Sequence, residues 1–325
     1  MMDVAFSCDD AGARFLRVAV WSLLAHWRGP DPVRINVLEG FGGHSAANRR
    51  ELAAVVARFP GACVRYLDVE PAIRPYADLI LNRERSRWNV FTWAPIFVPL
   101  LLDDATGNVA HFDIDMLFND DVAKLLKLEL GDDLIAAVAE YHQGGGEVER
   151  AIWGNGILPA EAERYFNTGT LVFNLAKCRE ERTWEKLLAW YRDHYAVADR
   201  IEQDAWNALY WRRTRLLPLR WNFHDRLVRR YPKWDVRARY WLGNPPQDCL
   251  RAAIDPAILH FWGPKKPWLV SHRPYRRLYH AAMRAVGQVP PREPYLSPWY
   301  DFCQRRDFAR IRALAAEFEK GDDGA

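Results

Sequence analysis

Strand-like and helix-like segments alternate over the first 112 residues, and this most limits what the chain can fold into. Asp3 to Ser7 is an apolar run that ends in polar Cys8-Asp9-Asp10. Ala13 to His26 then places Phe15, Val18, Trp21 and Leu24 at helical spacing. Val33 to Leu38 and Cys63 to Val69 read as strands, with a helix over Ala46 to Phe59 between them. Trp93 to Leu102 reads as a helix broken by Pro95 and Pro99, and Asn108 to Phe112 is a strand leading into Asp113. Strands that alternate with helices pair in parallel, which predicts an α/β sandwich. Ligands in such sheets bind beyond the carboxyl ends of the strands. Cys8-Asp9-Asp10 and Asp113-Ile114-Asp115 both fall there, so two acidic strand ends are expected to face one crevice.

The middle of the chain is less regular. Leu134 to Ala139 and Thr170 to Leu175 are predicted strands, Thr183 to His194 an amphipathic helix, and Gly144-Gly145-Gly146 a mobile stretch. A short helix is expected over Ile311 to Phe318, ahead of a fraying GDDGA end. Without an internal repeat or a low-complexity linker, the 325 residues divide most simply into a domain over 1–270 and an extension over 271–325. The longest apolar stretch, Trp93 to Leu102, is ten residues and too short to span a bilayer. Asp3 stands where an export signal would carry Lys or Arg, so none is expected. Five cysteines without a CxxC pair argue against a disulfide framework or a structural zinc site and fit a reducing cytosol.

Charge is divided along the chain. Residues 1–210 sum to −9, residues 211–312 to +15 and residues 313–325 to −3, inside a net charge of +3. The basic part interleaves Arg and Lys with Trp and Tyr, as in WRRTR, RLVRRYPK, GPKKPW and RPYRR. Such a surface attracts polyanions: nucleic acid, anionic lipid head groups or a phosphorylated saccharide. No nucleic-acid module pattern accompanies it, so nucleic acid ranks last and no nucleic-acid partner is expected. The plainer reading is a solvated face whose Arg stems cover apolar surface.

Asp113-Ile114-Asp115 carries the chemical argument. In an extended segment the two carboxylates project to one side while Ile114 packs on the other. Paired carboxylates repel unless a cation or a proton relieves them. A hard divalent ion is the natural relief, and it can then hold a diphosphate. His260, in AILHFWGPKKPW, also ends an apolar strand-like run; as neutral imidazole it suits Mn²⁺ beside two carboxylates, although a buried structural histidine is commoner. Gly263 and Lys266 would suit a tight loop bringing backbone and an ammonium to phosphate, against the alternative of a solvated turn. Asn167-Thr168-Gly169 reads as a turn at a strand entrance, and Glu202-Gln203-Asp204 as acidic caps opening a helix.

Five pieces in this order, VAFSCDD, HFDIDMLF, YFNTGTLVFNL, EQDAWN and LHFWGPKKPW, resemble the family 8 retaining glycosyltransferases, which include bacterial lipopolysaccharide galactosyl- and glucosyltransferases. The likeness runs from about Asp3 to Trp268. It implies a GT-A type, Rossmann-like nucleotide-sugar-binding sandwich followed by a basic, helical C-terminal extension. The implied reaction moves a hexose, galactose or glucose, from a UDP-sugar to a saccharide acceptor such as lipopolysaccharide or another lipid-linked glycan, with retention. The implied cofactor is Mn²⁺, or Mg²⁺, held by Asp113, Asp115 and His260. Cys8 and Asp9 would line the uridine pocket, with Asp10 and Ile114 among the donor contacts, and Gly263 and Lys266 would hold the diphosphate. Asn167, Gln203, Glu140 and Glu202 would approach the donor sugar. Front-face attack beside Gln203 is the expected route, and double displacement through Glu202 or Asp204 its competitor. The expected location is the cytosol, peripheral on the inner face of the cytoplasmic membrane. Two positions depart from the family: Gly12 stands where many members have a Tyr that stacks on uracil, and Trp93-Ala94-Pro95-Ile96 replaces a Y-x-R-x motif, which leaves Arg83, Arg85 or Arg87 as spatial substitutes. These departures keep a non-catalytic nucleotide-sugar or glycan-binding relative as the alternative. A nucleotidyltransferase would need a basic, Gly-rich loop after the first strand, where CDDAGARF is acidic.

Overall fold

Apolar side chains occupy both faces of nearly every central strand, which only a sheet covered on both sides can accommodate. The computed structural model describes residues 1–82, 89–140, 164–198, 200–225, 246–263, 266–269 and 274–291, with 309 and 312. Its strands are β1 (Met2–Ser7), β2 (Val33–Glu39), β3 (Ala62–Asp68), β4 (Val109–Phe112), β5 (Met116–Phe118), β6 (Ile135–Ala139), β7 (Phe166–Phe173), β8 (Thr214–Leu217), β9 (Phe223–His224) and β10 (Ile258–His260). The longer helices are α1 (Ala13–His26), α2 (Ala46–Val56), α3 (Thr183–His194), α4 (Ile201–Tyr210), α5 (Pro246–Ile254) and α6 (Arg276–Ala285).

Seven strands form one sheet in the order β3-β2-β1-β4-β7-β6-β8. β3, β2, β1 and β4 run parallel, β7 is antiparallel to β4 and β6, and β8 is parallel to β6. A three-stranded sheet, β5-β10-β9, stands beside it. Alternation sorts the side chains into two cores. Val4, Phe6, Ala110, Phe112 and Val172 pack on one face with α1, β5 and β10. Ala5, Val109, Leu171 and Phe173 pack on the other with Trp93, Phe97, Leu187 and Trp206. Each such Leu, Val or Phe buried contributes about 1.5–3 kcal/mol of transfer free energy. Helix α6 adds Tyr279, Ala282 and Met283 to the first core. The α/β sandwich is the predicted one, with parallel pairing over β1 to β4 as expected and an antiparallel β7 that was not.

Boundaries agree closely where apolar runs are long and capped. α1 spans the residues expected, and α2 begins after Ser45, whose side chain accepts from Asn48 N. The Trp93–Leu102 segment is a 3₁₀ turn, Ala94–Phe97, running into one α turn, Val98–Leu101, with each proline in a first turn where no donor is missed. One reading needs correction: the strand expected from Thr170 begins at Phe166, so Asn167-Thr168-Gly169 lies inside β7 rather than in a turn. The β6–β7 register shifts there, from Ala137↔Leu171 to Val138↔Asn167. That irregularity frees Thr168 and Gly169 from β6, so that Thr168 meets Glu202 and Gly169 lies against His260 and Asp113. Gly144-Gly145-Gly146, Arg83, Arg85, Arg87, Lys265 and nearly all of Ile311–Phe318 lie outside the described residues.

Candidate metal centre and donor cleft

β4 ends at Phe112 and β5 starts at Met116, so Asp113-Ile114-Asp115 is the turn that carries the chain from the large sheet to the small one. The side chains therefore converge through a turn and not through an extended run. Asp113 N donates to Gly169 O at 3.0 Å, anchoring the turn to β7. β10 pairs antiparallel with β5, His260 opposite Met116, and Phe261 N donates to Asp115 O at 2.9 Å. This register sets His260 Nε2 3.3 Å from Asp115 Oδ1 and 3.6 Å from Asp113 Oδ2. One ligand atom from each of the three lies within 4.8 Å of the others, the one such group of three among the described residues.

The three groups shift one another's charge state. Loss of bulk water and the charge of Asp115 push the Asp113 carboxyl up, although solvent still reaches its open edge. Burial would raise Asp115 too, but Lys266 and His260 outweigh it and hold that carboxyl well below its usual range. Burial lowers His260 and the two carboxylates outweigh it, so the imidazole is raised. Two oxygen donors and one imidazole nitrogen suit Mn²⁺ or Mg²⁺. Lys266 pairs with Asp115 and donates to Phe261 O at 3.0 Å. Gly263, at φ +87°, turns the chain between His260 and Lys266 in a conformation that favours glycine.

Beyond the cluster lies a buried polar network. Glu140, at the end of β6, accepts from Asn167 Nδ2 at 2.8 Å, pairs with Arg200 at 3.1 Å and lies 3.8 Å from His224 Nδ1. Gln203, in the first turn of α4, accepts from Asn167 Nδ2 at 3.1 Å and donates to the Tyr165 hydroxyl at 3.0 Å. Glu202 Oε1 accepts from Thr168 Oγ1 at 2.9 Å, while Oε2 is buried with no hydrogen-bond partner among the described residues. Burial pushes the Glu202 carboxyl up to about 8. Asp204 accepts from the Tyr165 hydroxyl at 2.6 Å and from Arg200 N at 2.9 Å, a helix-capping position.

At the other strand end, Cys8 Sγ lies 3.4 Å from His44 Nε2, and His44 Nδ1 lies 3.2 Å from Glu39 Oε2. Burial and nearby carboxylates raise the Cys8 thiol, so Cys8 lines this strand end as a thiol rather than as a nucleophile. Asp9 Oδ1 accepts from Gly12 N at 2.8 Å, and Asp10 Oδ1 accepts from Ser45 N and Asn48 Nδ2 at the start of α2. A Cβ at Gly12 would lie 2.8 Å from Cys8 Cβ and 2.9 Å from Ile114 Cδ1, so this backbone has no space for a side chain there. The structure thus draws Asp113, Asp115, His260 and Lys266 into one cluster and Glu140, Asn167, Glu202 and Gln203 into the adjoining network. Asp10 is turned to α2. Sequence reasoning missed Thr168, Arg200, Asn222 and His224, which no spacing marks.

Residues 3–271 match the glycosyl transferase family 8 profile. Among similar proteins, general stress protein A of Bacillus subtilis is 26% identical over 292 residues, covering 86% of this chain and 92% of that protein. Probable galacturonosyltransferase-like 3 of Arabidopsis thaliana is 28% identical over 279 residues, covering 83% and 75%. The galactosyltransferase LgtC, solved with donor and acceptor sugar analogues, superposes with a TM-score of 0.68 at 26% identity, over 92% of this chain and 100% of that one. The chain belongs to glycosyl transferase family 8, and its fold is that of the GT-A glycosyltransferases.

Proposed function

We propose that the protein transfers galactose or glucose from a UDP-sugar to a saccharide acceptor, with retention, the acceptor being lipopolysaccharide or another lipid-linked glycan. The convergence of Asp113, Asp115 and His260 beside the Glu140–Asn167–Gln203 network carries this reading. Those three side chains would hold Mn²⁺ or Mg²⁺, which supplies charge to the departing diphosphate. Lys266, on the neighbouring loop with Gly263, would meet the same diphosphate. Cys8, Asp9 and Ile114 would bound the base and ribose end, with Asp10 acting through the start of α2. Asn167, Glu140 and Glu202 would contact the sugar hydroxyls, and Gln203 would stand near the anomeric carbon.

The anomeric C–O bond to UDP breaks, the acceptor oxygen bonds to the same face, and its proton passes to the departing diphosphate oxygen. Front-face attack fits the side chains better than double displacement. Asp204 is engaged by Tyr165 and Arg200 N, and a Glu202 carboxyl raised to about 8 is a poor nucleophile at neutral pH. Residues 1–270 are read as the transferase domain. Residues 271–325 are read as a basic, aromatic extension that meets the acceptor or an anionic leaflet. One observation favours a second reading, a non-catalytic nucleotide-sugar or glycan-binding relative: the closed space at Gly12 forbids a stacking side chain. UDP release from UDP-galactose, UDP-glucose and UDP-galacturonic acid, with and without Mn²⁺, tests the proposal. Mn²⁺-dependent release from a UDP-hexose with acceptor present supports transfer. Binding of UDP-sugars without release supports the second reading.

A further inference from the structure

We propose that Asn222 is a positioning residue that sets the ring tautomer of His260, its own orientation being dictated by the backbone N–H of Gly169. The inference rests on reading His260 as a metal ligand and concerns how the protein prepares it. A backbone N–H can only donate, and Gly169 N lies 2.9 Å from Asn167 Oδ1, which identifies that atom as the amide oxygen. Asn167 Nδ2 accordingly donates to Glu140 Oε2 and Gln203 Oε1. Asn222 approaches the same Asn167 oxygen at 2.8 Å and must present its NH₂ group to it. The two donors match the two lone pairs of that oxygen.

With its NH₂ so committed, Asn222 turns Oδ1 toward His260 Nδ1 at 2.9 Å. An amide oxygen only accepts, so Nδ1 carries a proton and Nε2 is the nitrogen that can give a lone pair to a cation between Asp113 and Asp115. The opposite tautomer would point an N–H at the cation. Asn222 is 2% exposed and His260 1%, so water does not readily replace either partner. Asn222 ends the 3₁₀ turn Leu219–Asn222 that leads directly into β9, and β9 pairs with β10 with His224 beside His260. That register holds the amide against the ring. Gly169, Asn167, Asn222 and His260 thus form one polarised chain, which also ties the ligand to the side chains read as sugar contacts.

The experiment titrates Mn²⁺ into the full chain by electron paramagnetic resonance, comparing wild type, Asn222→Ala and Asn222→Asp, with thermal unfolding as the fold control. Asn222→Ala removes the acceptor for Nδ1–H and should weaken Mn²⁺ binding about 10–100-fold, the usual effect of losing such a partner. Asn222→Asp keeps an acceptor for Nδ1–H but sets a carboxylate oxygen against Asn167 Oδ1. It should hold Mn²⁺ within about threefold of wild type, well short of a full partner loss, while KM for the UDP-sugar rises. ¹⁵N shifts of His260 should report an Nδ1–H tautomer in the Mg²⁺-loaded wild type. A folded Asn222→Ala that binds Mn²⁺ as wild type does overturns the proposal. If that variant does not fold, a tenfold or greater loss in Asn222→Asp overturns it instead. Wild type that binds no Mn²⁺ overturns the metal assignment and this inference together.

Discussion

At Gly169 the smallest side chain meets the tightest part of the site. A Cβ there would lie 2.7 Å from His260 Cε1 and 2.9 Å from both Asp113 Oδ2 and Asn167 Oδ1. Glycine is therefore required by space, because the His260, Asp113 and Asn167 side chains converge on one backbone position. Glu202 shows a different strain, a carboxyl buried at 4% exposure with one oxygen lacking a partner among the described residues. Its folded value, about 8, stands above its ordinary 4.5, so the folded state binds the proton more tightly than the unfolded chain does. The stability from this group is fully present below its ordinary value and is lost as pH rises toward about 8. Each unit of displacement corresponds to about 1.4 kcal/mol. In metal-free protein, Glu202→Gln should gain stability relative to wild type as pH goes from 5 to 8. Thermal unfolding in chelator at both pH values reads this directly. A gap that stays flat would mean that Glu202 is charged in the folded protein throughout.

Among the elements, α4 and β7 are joined by side-chain hydrogen bonds to the backbone. β4 pairs with β7 only from Thr170 onward, so the earlier residues of β7 lack that neighbour. Asn207 of α4 stands in for it: its Oδ1 accepts from Phe166 N at 2.8 Å, and its Nδ2 donates to Phe166 O at 2.9 Å and to Gln203 O at 2.8 Å. Asn207→Ala leaves a buried N–H and a buried carbonyl unmatched, at about 1–3 kcal/mol each. Urea unfolding should show a loss of about 2–6 kcal/mol for the two groups together; a loss below about 0.5 kcal/mol, the level of a neutral surface change, would refute the role. The same pair of elements marks where sequence reading succeeds and fails. α1 and the parallel strands were legible because long apolar runs with helical or strand periodicity allow few alternatives. The Asp113, Asp115 and His260 cluster was legible because Asp113 and His260 each end an apolar run and Asp115 stands two residues from Asp113. Asn167-Thr168-Gly169 looked like a turn because its composition is that of one, and only the shifted β6–β7 register makes it strand. β5 and β9, of three and two residues, are too short to show a period. Asn222 carries no local signal, since its partners lie 38 and 55 residues away.

Across the whole molecule, charge is separated along the chain, −9 over residues 1–210 and +15 over residues 211–312. No helix among the described residues is long and apolar enough to cross a membrane. Helix α6, within the basic part, joins the first core through Tyr279, Ala282 and Met283, so this helix is tied to the large sheet. Each Lys or Arg near an anionic leaflet contributes about 1 kcal/mol, and the attraction fades as salt shortens the Debye length. Co-sedimentation should show binding to anionic vesicles at low salt, loss of binding as salt rises, and little binding to neutral vesicles. Equal binding to both lipids, or none to either, would leave the charge division as a solubility feature. Asp113, Asp115 and His260 are proposed to form a divalent-metal site that holds a nucleotide diphosphate. Calorimetric titration of UDP into wild type and Asp115→Asn, each with and without Mn²⁺, tests it most directly. Mn²⁺ should tighten UDP binding by tenfold or more in wild type, about 1.4 kcal/mol or above, and give no gain in folded Asp115→Asn. The same Mn²⁺-dependent gain in both proteins would contradict it.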